Sequence, residues 1–168
     1  MYLENAPKKG IGPQDVAIAL VGETFKDGFV KNCILEFAGP GVKNLSMNFR
    51  IGIDVMTTET TCLSSIWTTD EKTEEYLSIH GRKEEYKELK PENGAYYDKA
   101  IVIDLAKIES MIALPFHPSN AYTIHELQEN AAEIFAEIEK KAKEQFGEKV
   151  NFTLTDKITD GKIMIYQG

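Results

Sequence analysis

The sequence predicts an α/β fold in a single domain over residues 1–168, with a sheet covered by helices on both faces as a three-layer α/β/α sandwich. Three observations predict it. Segments with helical spacing of apolar residues alternate with short apolar runs of strand length along the whole chain. The chain has 168 residues, of which 42% are hydrophobic and 10% aromatic, enough for one real core. It shows no internal repeat and no low-complexity tract.

The first element is a helix from about Pro13 to Lys26. Pro13 suits a first helical position, because its missing N–H has no partner there anyway. Asp15 then sits at the positive end of the helix dipole, and Asp27-Gly28 stops the helix. Gly10 and Gly12 ahead of it do not form a dinucleotide-binding loop, since Asp15 stands where the third glycine belongs and no strand is read before them. Val30 to Phe37 reads as a buried strand with Cys33 in its middle, closed by Gly39-Pro40-Gly41. A second helix carries Leu45, Phe49, Ile53 and Met56 on one stripe. Thr57-Thr58-Glu59-Thr60-Thr61-Cys62 follows, four threonines around one carboxylate, with the weak helix propensity of a helix end or a strained loop.

Thr68-Thr69-Asp70-Glu71 matches a capping box and starts a helix through Tyr76, Leu77 and Ile79 that ends at Gly81. Arg82 to Lys90 is short and charged, with some helical character, and Lys90-Pro91-Glu92-Asn93-Gly94 is a surface loop. Ala100 to Leu105 and Met111 to Phe116 are short apolar strands, and Pro115-Phe116-His117-Pro118 calls for an extended exit. A second capping box, Thr123 to Glu126, opens the helix with the strongest period in the chain. Leu127, Ala131, Ile134, Phe135, Ile138 and Ala142 share one stripe, and Gly147 stops it. Val150, Phe152 and Leu154 alternate with polar residues, Asp160-Gly161 signals a hairpin, and Ile163-Met164-Ile165 is apolar.

Charge narrows the function. Lys and Arg number 19 against 27 Asp and Glu, a formal net charge of −8. Nucleic acid is held chiefly by cations on phosphates, so it is a poor match as a partner. The run Glu139-Lys140-Lys141-Ala142-Lys143-Glu144 is interrupted by acid and reads as a solvated helix face. No stretch reaches the roughly 20 apolar residues of a membrane helix, and the chain opens without a secretory signal. Two cysteines, Cys33 and Cys62, suit a reducing cytoplasm better than a disulfide scaffold.

Self-contained active sites find little support. Cys62 with His80, His117 or His125 forms no recognisable thiol–imidazole spacing, and a buried, inert thiol is the simpler reading. The histidines are not spaced as zinc ligands, and neither a phosphate-binding loop nor a nucleophile elbow occurs. His117, between two prolines, is the most notable of them, yet an exposed loop histidine is the favoured reading. Glu59 alone has both a setting and a task. A carboxylate among hydroxyls near a helix end can be held and still reach a pocket, as acid–base catalysis requires. On composition alone a capping or solvent-facing glutamate is the favoured reading.

Three segments carry a resemblance. Glu36-Phe37-Ala38-Gly39-Pro40-Gly41-Val42 with Leu45-Ser46 resembles the E-[YF]-x-G-P-G-V-x-x-[IL]-S segment of the aconitase superfamily. Ile53-Asp54-Val55-Met56-Thr57-Thr58-Glu59 is similar to that family's I-C-N-M-x-x-E, at the same distance downstream, and Pro115-Phe116-His117-Pro118 to its later P-F-x-P. The resemblance implies a bacterial-type hydratase that dehydrates and rehydrates hydroxy di- and tricarboxylic acids with a four-iron, four-sulfur cluster. It places Glu59 on the active-site glutamate, near the substrate hydroxyl.

The departures shape what is expected of this chain. The family's Asn four residues before that glutamate is Val55 here, and its preceding Cys is Asp54. The cluster cysteines have no counterpart: Cys33 and Cys62 do not match them. The strand they follow resembles Lys162 to Tyr166, and the family's Asp-Ser-His segment and substrate-binding arginines are also absent. The resemblance therefore implies a fragment of a larger enzyme. Its partners are the remaining domains and a small hydroxy-acid substrate; the fragment alone is inactive and binds no cluster. A free-standing, non-catalytic binding module of the same fold is the alternative.

Overall fold

The structure, a computed structural model, describes residues 1–147 and 151–163. Its elements are β1 (Tyr2–Glu4), α1 (Pro13–Thr24), β2 (Ile34–Phe37), α2 (Met47–Asp54), β3 (Ser64–Trp67) and α3 (Glu71–Ile79). They continue with β4 (Val102–Asp104), β5 (Met111–Ala113), β6 (Ala121–Thr123), α4 (Ile124–Phe146), β7 (Ile158–Thr159) and β8 (Lys162–Ile163). Single 3-10 turns lie at Val42–Asn44, Thr57–Thr60, Lys83–Glu85, Leu105–Lys107 and Thr155–Lys157. The fold is mixed α/β, as the alternating periods predict.

β4 pairs with β1 and β2 with β3, both in parallel. One bridge, Tyr2 to Ala38, connects the two pairs. The Leu3 N–H donates to the Ala38 carbonyl (2.8 Å) and the Ala38 N–H to that of Met1 (2.9 Å). The strands thus run β4-β1-β2-β3, and parallel neighbours need crossovers, which α1 and α2 supply. Leu3, Leu35 and Phe37 from the strands bury against Val16 and Leu20 of α1 and Ile53 of α2 in a first core.

A second core surrounds α4. Leu127, Ile134, Phe135 and Ile138 pack against Ile112, Leu114 and Tyr122 of the β5–β6 hairpin and against Ile158 and Ile163 of the β7–β8 hairpin. All six residues of the predicted α4 stripe are buried. α1 touches both halves. It packs on α2 and on the β5–β6 hairpin, where Asp15 Oδ1 accepts from the Met111 N–H (2.8 Å). A Cβ on Gly22 of α1 would lie 2.8 Å from the Ala121 Cβ, so only glycine permits this approach.

Several sequence expectations are corrected. β1 precedes Gly10 and Gly12 after all, and β3 and β6 also escape the sequence patterns because each is three or four residues long and partly polar. The strand at Val30 to Phe37 is only Ile34–Phe37; Cys33 lies in the turn before it, half-buried, and Ile34 faces outward. α3 is capped by Asp70, not Thr68. Asp70 accepts from the Thr73 N–H (3.3 Å), whereas the Thr68 N–H is already committed to the Phe37 carbonyl (3.0 Å). Only Lys83–Glu85 of the charged stretch is helical. Residues 115–120 do not run out extended but turn back. The Asn120 amide donates to the Pro115 carbonyl (2.7 Å) and its backbone N–H to that of His117 (2.9 Å), closing the β5–β6 hairpin. Phe152 and Leu154 pack on α4 without forming a strand, the Asp160-Gly161 hairpin forms as predicted, and Val150, Met164, Ile165 and Tyr166 lie outside the described residues.

Candidate functional site

Ser46 starts α2 by accepting from the Phe49 N–H (3.2 Å), and the helix ends at Asp54. The chain then tightens into the Thr57–Thr60 turn, as β-branched residues with hydroxyls near the backbone favour. Thr57 donates to the Asp54 carbonyl (2.8 Å) and Thr60 to that of Thr57 (2.6 Å), both side chains being buried. Thr61, at φ 64°, ends the turn in the left-handed region. Thr57 and Thr60 therefore serve the backbone, not the carboxylate of Glu59. They hold the turn, and Glu59 projects from it with its side chain 44% exposed.

The neighbour of Glu59 comes from the far side of α1. His117 Nε2 lies 3.8 Å from Glu59 Oε2. The Ser119 N–H donates to His117 Nδ1 (3.1 Å), with Ser119 Oγ at 3.0 Å, and the ring stacks on Phe25 with centroids 3.9 Å apart. A backbone N–H can only donate, so Nδ1 is an acceptor and the neutral ring carries its proton on Nε2, the atom facing Glu59. α1 packs against both the Thr57–Thr60 turn and the β5–β6 hairpin, and Phe25 follows it directly. His117 also lines a cavity of about 590 Å³ with Lys26, Ser119, Asn120, Tyr122 and Lys141; Glu59 is not among its lining residues.

Two of the residues singled out in the sequence are thus brought together. The others are not. His80 caps the C-terminus of α3 with Nδ1 2.8 Å from the Tyr76 carbonyl, and His125 Nε2 lies 3.3 Å from Glu129 on α4. Cys62 donates weakly to the Thr57 carbonyl (3.3 Å) and contributes to pinning the turn. Asp54, in place of the family's Cys, accepts from Ser65 Oγ (2.6 Å) and Trp67 Nε1 (3.0 Å), tying α2 to β3, and Val55 is exposed. The sequence reading passed over Ser119 and Phe25, which fix His117. Ser119, two residues beyond His117, was the one available signal.

The residues present do not fit a four-iron, four-sulfur cluster. Both cysteines are free thiols, and Cys62 Sγ is turned onto a backbone carbonyl. Among the described residues no three His, Cys, Asp or Glu side chains group as metal ligands. Likewise, among the described residues no helix is long and apolar enough to cross a membrane.

Comparison with known proteins agrees with this sequence pattern. The chain is 34% identical over 127 residues to the 3-isopropylmalate dehydratase large subunit of Elusimicrobium minutum, a match covering 76% of this chain and 30% of that protein. It is 34% identical over 131 residues to the subunit of the same name from Clostridioides difficile, covering 76% and 31% respectively. With that from Caldicellulosiruptor bescii it shares 35% over 116 residues, 69% of this chain and 27% of the relative. The chain thus spans about 30% of the length of the curated relatives it matches. The family model for aconitase (aconitate hydratase) matches residues 1–167, and on that match this chain belongs to the aconitase family.

Proposed function

We propose that this chain is the part of a larger aconitase-family hydro-lyase that supplies an acid–base carboxylate, Glu59. The substrate is a hydroxy di- or tricarboxylic acid. The relatives' name, 3-isopropylmalate dehydratase large subunit, points to a hydroxy dicarboxylate. In the dehydration direction the protonated carboxyl of Glu59 gives its proton to the departing hydroxyl, which leaves as water; in hydration the carboxylate takes a proton from the attacking water. The remaining domains of the parent enzyme are the partners that close over this face. Any iron–sulfur cluster is held by them, and this chain by itself turns nothing over. A cytoplasmic setting suits the two free thiols.

The observation that supports this reading is the placement of Glu59. It stands half-exposed on a turn where the Thr57 and Thr60 hydroxyls are bonded to the backbone, beside the imidazole of His117. A merely structural glutamate would be expected to cap a helix or pair with a lysine. Glu59→Gln in the full-length enzyme tests it. Turnover of 3-isopropylmalate should fall about 100- to 10,000-fold while the thermal midpoint holds, and unchanged turnover would remove Glu59 from the reaction.

A further inference from the structure

We infer that His117 is a positioning residue for Glu59, a role that rests on the reading of Glu59 given above. Contacts from three residues hold the imidazole and its loop. Phe25 stacks along one ring face (centroids 3.9 Å, planes 26° apart). Ser119 occupies Nδ1 through its backbone N–H (3.1 Å), with its hydroxyl 3.0 Å away and its side chain buried. Asn120 ties the loop on both sides of the ring, to the Pro115 carbonyl (2.7 Å) and to that of His117 (2.9 Å). With Nδ1 filled from the backbone, the one proton left on the neutral ring is on Nε2, the nitrogen that lies 3.8 Å from Glu59 Oε2.

The 3.8 Å separation is longer than a hydrogen bond, and a small rotation of the half-exposed Glu59 side chain closes it. A donor held there engages Oε2, which leaves Oε1 for the substrate hydroxyl. The histidine touches the glutamate and not the reacting atoms. Its effect therefore falls on the chemical step and not on substrate affinity.

The tautomer is read directly by two-bond proton–nitrogen correlation on this chain labelled with 15N-histidine, which should show His117 protonated at Nε2 and bare at Nδ1. In the full-length enzyme acting on 3-isopropylmalate, His117→Ala should lower kcat about 10- to 100-fold with KM within about twofold. His117→Gln, whose amide N–H reaches the Nε2 position, should recover most of that loss. Placed on Glu59→Gln, His117→Ala should add nothing further. A ring protonated at Nδ1 overturns the inference. So does an unchanged kcat in His117→Ala while Glu59→Gln is disabled, an outcome that leaves Glu59 standing. A fall in kcat that His117→Gln does not restore, and that tracks a lower thermal midpoint, also overturns it by showing a packing role. Turnover indifferent to Glu59→Gln removes the reading of Glu59 and this inference together.

Discussion

Arg50 and Asp70 form a two-pronged ion pair beneath the surface: Nη2 lies 2.5 Å from Oδ2 and Nη1 3.0 Å from Oδ1, with Arg50 only 1% exposed. The guanidinium also donates to the Val42 (3.0 Å) and Leu45 (3.2 Å) carbonyls, while its Nε has no partner among the described residues. One side chain on α2 thus ties the turn after β2 to the N-terminus of α3, which Asp70 caps. Removing one member of such a pair strands the other charge without water.

Asp70→Ala should therefore destabilise the chain by about 3–5 kcal/mol, well beyond the roughly 1 kcal/mol of a lost helix cap. Denaturant unfolding followed by circular dichroism measures it. A loss no larger than a cap would show that Arg50 finds other partners or water.

The same pair sets an acid limit on stability. Burial alone raises the Asp70 carboxyl, but the hydrogen bond and charge of Arg50, together with Thr73, outweigh it and hold the group below the usual carboxylate range. A carboxylate depressed in the folded state contributes stability that is full above its unfolded value, about 3.9, and is lost as pH falls through the lower folded value. Unfolding curves should be level from pH 7 to about 5 and weaken below about 4. Glu126, bonded by the Thr123 N–H, and Glu139, bonded by that of Thr155, are held low as well, so the contribution of Asp70 is read by difference. Asp70→Asn should be less stable than the parent at pH 7, with the gap narrowing towards pH 3. A constant gap would show that the charge of Asp70 is not what is lost.

What the sequence could show follows from range. The α4 stripe was legible to the residue because a long helix repeats its period six times over, and the Thr123–Glu126 box marks its start with a local rule. β1, β3 and β6 were invisible for the opposite reason. Three or four residues carry too little period, and Ser64-Ser65 reads as loop until β2 lies alongside. Arg50 was passed over because an arginine among apolar residues reads as a surface charge, and only Asp70, brought from the next helix, makes it a core residue. Glu59 was singled out by chemistry and by resemblance. Its contact with His117 was not, because it depends on α1 packing against two segments distant in sequence.

Glu139 ties the last described segment to α4. Its Oε1 accepts from the Leu154 N–H (2.6 Å), the Thr155 N–H (2.7 Å) and the Thr155 hydroxyl (2.9 Å). Glu139→Ala leaves two backbone donors seeking water and should cost about 1–3 kcal/mol. Amide exchange at Leu154 and Thr155 should quicken while the α1 and β2 amides stay protected. Uniform acceleration across the chain would mean that the two cores unfold as one unit.

The glycines of the Gly39-Pro40-Gly41 segment have a steric cause in this fold. A Cβ on Gly39 would lie 2.6 Å from the Leu3 carbonyl oxygen and 2.9 Å from its nitrogen, and one on Gly41 2.8 Å from the Leu3 carbonyl carbon. β1 runs directly over both glycines, held by the Gly41 N–H on the Leu3 carbonyl (2.8 Å) and the Leu3 N–H on that of Ala38 (2.8 Å). Gly39 is also at φ +100°, where a side chain costs about 1–3 kcal/mol before any clash. Gly10, at φ +95° with nothing within 4 Å of its missing Cβ, carries the conformational cost alone and serves as the control. Gly39→Ala should destabilise the chain clearly more than Gly10→Ala and speed exchange of the Leu3 amide, because β1 must lift off β2 to make room. Equal losses in the two variants would assign the whole effect to backbone conformation and leave the contact with β1 without consequence.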